Sequence, residues 1–170
     1  MLEMATLLIF PLCMSIAAIS DLLTMTIPNR VSLVLAVSFL VLAPISGLSA
    51  VEIGMHFAGA GAVFFVCFTL FALNVMGGGD AKLLAAAALW FGFDNSLIEF
   101  LVYVGFIGGA VTVLVIMLRS QASIIMAIGL PLPHSLTVAK KIPYGVAIAV
   151  GGMLAFPSSG LLLAATQKVL

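Results

Sequence analysis

Charged side chains are scarce in this 170-residue sequence. Only 7% of its residues are charged, six of them basic and six acidic, whereas 64% are hydrophobic. Soluble domains average about a quarter charged residues, and no soluble fold of this length could bury so much apolar surface. The composition therefore excludes a soluble globular domain. It predicts an all-α polytopic membrane protein with short loops.

Cysteine and basic clusters are also nearly absent. The two cysteines, Cys13 and Cys67, both lie inside apolar runs, where they resemble small hydrophobic residues. No CxxC pair or mixed Cys/His spacing is present, so we expect no structural metal. The formal net charge is zero, and no basic cluster is large enough to indicate binding to nucleic acid.

Apolar runs separated by polar, Gly or Pro residues predict six transmembrane helices. A helical span needs about 20 mostly apolar residues. The predicted spans are 4–21, 31–47, 52–75, 80–97, 99–118 and 143–164. One longer connection, 119–142, contains Pro131 and Pro133. We expect residues 1–170 to form a single membrane-embedded domain.

The placement of basic residues predicts the orientation. If the first helix runs from outside to inside, only Lys168 falls on the external side. The other five basic residues then fall on the cytoplasmic side, as the positive-inside tendency requires: Arg30, Lys82, Arg119, Lys140 and Lys141. We therefore expect a multi-pass protein in this orientation.

Asp21 and Asp80 are the only acidic residues on the predicted inner side. The other four fall at external ends or loops, where a solvated carboxylate needs no explanation: Glu3, Glu52, Asp94 and Glu99. A carboxylate at membrane depth is costly and is by default a sign of function. Two at matching depth indicate a catalytic pair on the cytoplasmic side.

Each aspartate also has a structural alternative. Asp80 follows Gly77-Gly78-Gly79 and could simply be the N-cap of the fourth helix. Asp21 could be a solvated residue, although a negative charge near a helix C-terminus is unfavourable. Three consecutive glycines lose much conformational freedom on ordering, so they imply unusual backbone angles or the close approach of another chain segment.

The remaining polar residues have simpler interpretations. Pro28 and Asn29 are typical of a tight connection that starts the second helix, and Lys82 could anchor at the membrane interface. His56 is predicted near the external end of the third helix, and His134 in the longer connection. Neither histidine is expected to be catalytic.

Two carboxylates close to each other can perform peptide hydrolysis without a metal. Because they cannot both ionise easily, they share one proton over a useful pH range. The ionised carboxylate can then take a proton from the attacking water, while the protonated one donates to the peptide carbonyl oxygen. This chemistry requires that the first and fourth helices lie next to each other.

The sequence around these residues resembles the prepilin peptidases (type IV leader peptidases), membrane aspartyl proteases with a GxGD motif. Three segments carry the resemblance: Asp21 with Ile27-Pro28-Asn29, Gly77-Gly78-Gly79-Asp80 with Ala81-Lys82-Leu83-Leu84, and Lys141-Ile142-Pro143-Tyr144-Gly145. The resemblance implies catalysis by Asp21 and Asp80, with the other motif residues supporting them: Gly77, Gly78, Gly79, Lys82, Pro28 and Asn29. It also implies a bacterial inner-membrane location and prepilin or pseudopilin substrates, from which a basic leader is cut at the cytoplasmic membrane face.

The length of the chain indicates which branch of the family it resembles. Many longer members of the family carry a cysteine-containing insert between the first two helices and also methylate the new pilin terminus. This chain has neither the insert nor a recognisable cofactor-binding element, so it is similar to the compact branch that serves tight-adherence (Flp) pili. We expect no cofactor and no methyltransferase activity, and membrane lipids as the surrounding medium. The oligomeric state is left open.

Two other functions compete with the peptidase. A small proton- or cation-coupled carrier could use Asp21 and Asp80 as its translocation site, although a polar pathway across the membrane is then expected. A non-catalytic pilus-assembly membrane subunit could use Asp80 only as a helix cap. Such a subunit would tolerate Asp80→Asn, because Asn also caps helices well.

Overall fold

The protein is built from helices throughout the part of the chain that the structure, a computed structural model, describes (residues 2–121 and 142–167). In chain order the elements are α1 (Leu2–Thr24), α2 (Asn29–Ile45), α3 (Ala50–Ala72), α4 (Gly78–Ala88), α5 (Asn95–Ser120), α6 (Tyr144–Ala155), a 3-10 turn (Phe156–Ser158) and α7 (Gly160–Gln167). The all-α prediction is confirmed. Most of the longer connection predicted at 119–142 lies outside the described residues.

The outer surface of the helices is apolar. Four segments are long and apolar enough to cross a membrane: Met4–Thr24, Ala50–Ala72, Asn95–Ser120 and Tyr144–Thr166. Helix α2 is apolar but shorter, with 17 residues. Large side chains such as Phe65 and Phe106 are 73% and 78% exposed, which a soluble monomer would avoid over so wide a surface. The chain is therefore a multi-pass membrane protein.

Helix α4 differs from its prediction. A single span was expected over 80–97, but α4 has 11 residues and is about 16 Å long at about 1.5 Å per residue. That is roughly half of a ~30 Å hydrocarbon core. The chain then turns at Gly92, whose φ of +89° favours glycine. Asp94 caps α5 by accepting the Ser96 N–H at 2.8 Å. The predicted extent of this span is wrong.

Helix α4 lies inside the bundle. It packs against α2, α3 and α6, and α1 packs against α2 and α6. The segment after α4 is buried as well: Trp90 is fully buried and donates its Nε1–H to the Leu35 carbonyl at 3.1 Å. The rings of Phe10 and Phe156 stack at 4.6 Å and join α1 to the end of α6. Helices α1 and α4 thus share two neighbours, α2 and α6.

Candidate active site

Asp80 lies in the first turn of α4, but it is not the N-cap. Gly77 occupies the N-cap and, being glycine, has no side chain with which to cap the helix. The carboxylate lies over Gly77 instead, because a Cβ added at Gly77 would stand 2.7 Å from Asp80 Oδ2. The negative charge still faces the positive end of the helix dipole. Asp80 is therefore the third residue of the helix and not the N-cap residue that the sequence permitted.

The glycine run allows close packing around Asp80. A Cβ at Gly78 would stand 3.2 Å from Phe71 Cε2, and one at Gly79 would stand 3.3 Å from Ile27 Cβ. None of the three glycines has a positive φ. Of the two explanations that the sequence left open, the close approach of other groups is therefore the one that the structure supports.

Asp21 is buried near the end of α1. Asp21 is only 5% exposed, and its Oδ2 accepts a hydrogen bond from the Gly145 backbone N–H at 2.7 Å. Gly145 lies in the first turn of α6, whose dipole presents its positive end to the carboxylate. The interaction offsets the unfavourable position of Asp21 near the C-terminus of α1.

The two aspartates line one cavity. Its volume is about 270 Å³, and its wall is formed by the end of α1, the α1–α2 connection, the glycine run and the start of the last span. Met25, Thr26, Ile27, Asn29 and Ile142 complete the lining. The cavity has both polar and apolar walls and could hold a peptide bond and a water molecule. The structure thus brings together two residues that stand 59 positions apart.

The α1–α2 connection is held by local hydrogen bonds. Met25 has a φ of +55°, which turns the chain sharply after α1. The Ser20 hydroxyl donates to the Thr26 carbonyl at 2.8 Å, and the hydroxyls of Thr24 and Thr26 are 2.7 Å apart. These contacts hold one wall of the cavity in place.

Pro28, Asn29 and Lys82 lie beside the cavity. Pro28 is the N-cap residue of α2, with an extended backbone conformation. The Lys82 ammonium group donates to Asn29 Oδ1 at 3.2 Å, which links the start of α2 to α4. Asn29 itself lines the cavity. All of the motif residues predicted from the sequence therefore line the aspartate cavity or lie next to it.

His56, which we did not expect to be catalytic, lies on α3 and contacts the opposite end of α4. His56 is 5% exposed, and its Nδ1 is 2.6 Å from the Leu89 carbonyl oxygen. Leu89 follows Asp80 by nine positions, about 13 Å along a helix at about 1.5 Å per residue. His56 thus fixes α3 to the end of α4, away from the cavity. His134 lies outside the described residues.

The contact between Gly145 and Asp21 was not predictable from the sequence. The stretch from Lys141 to Gly145 resembles a family motif, but no local pattern connects Gly145 with a residue 124 positions earlier. Within residues 2–121 and 142–167, no group of three or more His, Cys, Asp or Glu side chains could hold a metal ion.

The chain matches one family model. The model is that of the type IV leader peptidase family and covers residues 8–118, which include both aspartates and the glycine run. Comparisons with curated proteins and with solved structures gave no match. Because the matched segment is well over half of the 170 residues, the chain belongs to the type IV leader peptidase family.

Proposed function

We propose that this protein is a membrane aspartic endopeptidase that removes the basic leader from prepilin-like proteins, with Asp21 and Asp80 as its catalytic residues. Membership of the leader peptidase family supports the general activity. The observation that carries the assignment to these two residues is the cavity of about 270 Å³ that both carboxylates line.

The chemistry needs only the two carboxylates and a water molecule. The ionised carboxylate takes a proton from water as the oxygen attacks the peptide carbonyl carbon, and the protonated carboxylate donates its proton to the carbonyl oxygen. Collapse of the tetrahedral intermediate breaks the C–N bond. The leaving amine takes the proton that the first carboxylate removed from water, and a hydroxyl of the intermediate returns a proton to the other carboxylate. The Gly145 N–H, 2.7 Å from Asp21 Oδ2, orients one carboxylate for this reaction.

The position of the cavity supports cleavage at the cytoplasmic membrane face. Arg30 and Lys82 lie at the same end of the molecule as the cavity, since Lys82 contacts Asn29. Two acidic residues lie at the other end: Glu52 is in the first turn of α3, and Asp94 follows α4. Basic residues favour the cytoplasmic side of a membrane. A basic leader would also be attracted to a cavity with two acidic groups.

The compact pilus branch, with Flp-type substrates, is part of the proposal. Only residues 25–28 connect α1 to α2, which leaves no room for an inserted cytoplasmic domain. The carrier alternative has less support, because most residues after Asp80 on α4 are apolar and buried, apart from the exposed Lys82. Leu83 and Ala87 on α4 and Trp90 just after it are fully buried, where a carrier would need polar groups.

Cleavage by aspartate variants tests the proposal. Purified wild-type protein and the variants Asp21→Asn and Asp80→Asn are incubated with a prepilin, and the N-terminus of the product is determined by mass spectrometry. We expect each variant to lose about 100- to 10,000-fold in rate, the usual contribution of a general acid or base. The matched control is Asp94→Asn, which makes the same change at the other end and keeps a good N-cap. Cleavage at the wild-type rate by either of the first two variants would refute the proposal.

A further inference from the structure

A second, larger groove lies on the lipid-facing side of the bundle, between α2, α3 and α4. Its volume is about 620 Å³. Apolar or small side chains form most of its wall, including Leu33, Phe57, Gly61, Phe64 and Ala85. The groove has no part in the proposed peptide hydrolysis, although Asn29 and Lys82 lie at its edge.

The polar residues of the groove are gathered at one end. Asn29, Arg30, Ser32 and Lys82 all belong to the first turns of α2 and α4, whereas Leu89 lies at the far end. Arg30 and Lys82 are exposed, and no acidic residue lies in the first turn of α2. Asp80, in the first turn of α4, lines the aspartate cavity and not the groove. The N-terminus of α2 has no side-chain cap, so its backbone N–H groups add to the positive field.

The length of the groove is comparable with the depth of one leaflet. From Lys82 to Leu89 it extends over seven residues of helix and turn, about 10 Å at about 1.5 Å per residue. One leaflet contributes half of a ~30 Å hydrocarbon core. An occupant with a negatively charged head at the basic end and an apolar tail along the groove would meet complementary groups over its whole length.

We propose that this groove binds an anionic phospholipid, with its phosphate between Arg30 and Lys82 and an acyl chain along Leu33, Phe57 and Phe64. Basic pockets between transmembrane helices on the cytoplasmic side bind anionic headgroups in this way. Because Lys82 also contacts Asn29, which lines the aspartate cavity, a bound headgroup lies next to the candidate active site. The binding itself does not depend on peptidase activity.

Fluorescence quenching by brominated lipids can test the proposal. Trp90 is the only tryptophan and directly follows Leu89, at the apolar end of the groove. The full chain is placed in phosphatidylcholine nanodiscs that contain a small fraction of either brominated phosphatidylglycerol or brominated phosphatidylcholine. We expect stronger quenching of Trp90 by the anionic lipid. Equal quenching by the two lipids would overturn the proposal.

Two pairs of variants assign the effect to the groove. Arg30→Gln should weaken the preference for the anionic lipid about fivefold, the usual loss for one cation near an anionic surface. Its control, Arg119→Gln, removes a cation from the end of α5 and should keep the preference. Gly61→Leu should place a side chain in the groove, exclude the lipid and so reduce quenching. The helices need not move to accept it, because a Cβ at Gly61 meets nothing within 4 Å. Gly109, on α5, has the same open surroundings and provides the control Gly109→Leu.

Other occupants would give different results. If the apolar helix of a prepilin occupies the groove, a synthetic peptide of that helix will abolish the preference at equimolar concentration. If a second copy of the chain occupies it, quenching will fall as the number of protein molecules per nanodisc rises. Either result, or a preference that survives Arg30→Gln, would contradict the lipid assignment.

Discussion

Replacing Gly145 with alanine tests how Asp21 is positioned. The added Cβ would stand 2.8 Å from Asp21 Oδ2 and 2.8 Å from Ile27 Cδ1. Carbon atoms in ordinary contact are about 3.5–4.0 Å apart, so the carboxylate must move by roughly 1 Å. A displacement of about that size can cost ~100-fold in rate. We therefore expect kcat for prepilin cleavage to fall about 100-fold.

The assay must separate misplacement of Asp21 from a general loss of stability. Inserting a methyl group into a packed site costs about 1–3 kcal/mol, so cleavage is measured in nanodiscs well below the unfolding temperature of each variant. Gly151→Ala, on the same helix as Gly145, is the matched control: its Cβ would stand 2.8 Å from the backbone nitrogen of Val104 on α5, away from Asp21. We expect this control to lower the unfolding temperature and to keep its activity per folded molecule.

The activities of the two variants per folded molecule decide whether Gly145 positions Asp21. If Gly145→Ala cleaves prepilin as fast as the wild type per folded molecule, the contact between α6 and Asp21 does not position the carboxylate. If Gly151→Ala loses as much activity as Gly145→Ala, the effect belongs to the packing of α6 as a whole. Only a selective loss in Gly145→Ala supports the proposed role.

Three further predictions concern other parts of the molecule. Cleavage should continue at an unchanged rate in EDTA, because the two-carboxylate mechanism uses no metal; loss of activity that Mg²⁺ or Zn²⁺ restores would contradict it. His56→Ala should lower stability by about 1–3 kcal/mol, because the buried Leu89 carbonyl loses its partner, and thermal unfolding measures the change; retained stability would show that the contact is dispensable. A cysteine introduced at Ser135, which lies outside the described residues, should be labelled by a membrane-impermeant maleimide from the cytoplasmic side, and external labelling would invert the orientation.

Much of the architecture could be predicted from hydropathy. The apolar runs predicted both ends of α1, α3, α5 and the last span to within a few residues. Helix α4 was predicted too long because hydropathy does not distinguish a residue buried in a helical bundle from one that faces lipid. Trp90 and Phe91 are apolar and fully buried, yet they belong to a turn rather than to a membrane span.

The candidate site was predictable only in part. Sorting the charges by membrane side selected Asp21 and Asp80, and the glycine run indicated close packing beside Asp80. The N–H of Gly145 and the walls formed by Met25 and Ile142 were not predictable, since tertiary packing alone brings these segments together. The sequence also permitted Asp80 to be a helix cap, and only the position of Gly77 at the N-cap argues against that role.

The central claim is that Asp21 and Asp80 act as one catalytic pair. Single-turnover rate constants for prepilin cleavage by the wild type, Asp21→Asn, Asp80→Asn and the double variant test it most directly. Residues that act as a unit show strongly non-additive losses. We predict that each single variant loses about 100-fold or more and that the double variant is no slower than the slower single variant. A single variant within about tenfold of the wild type, or a double variant whose loss is the product of the two single losses, would contradict the claim.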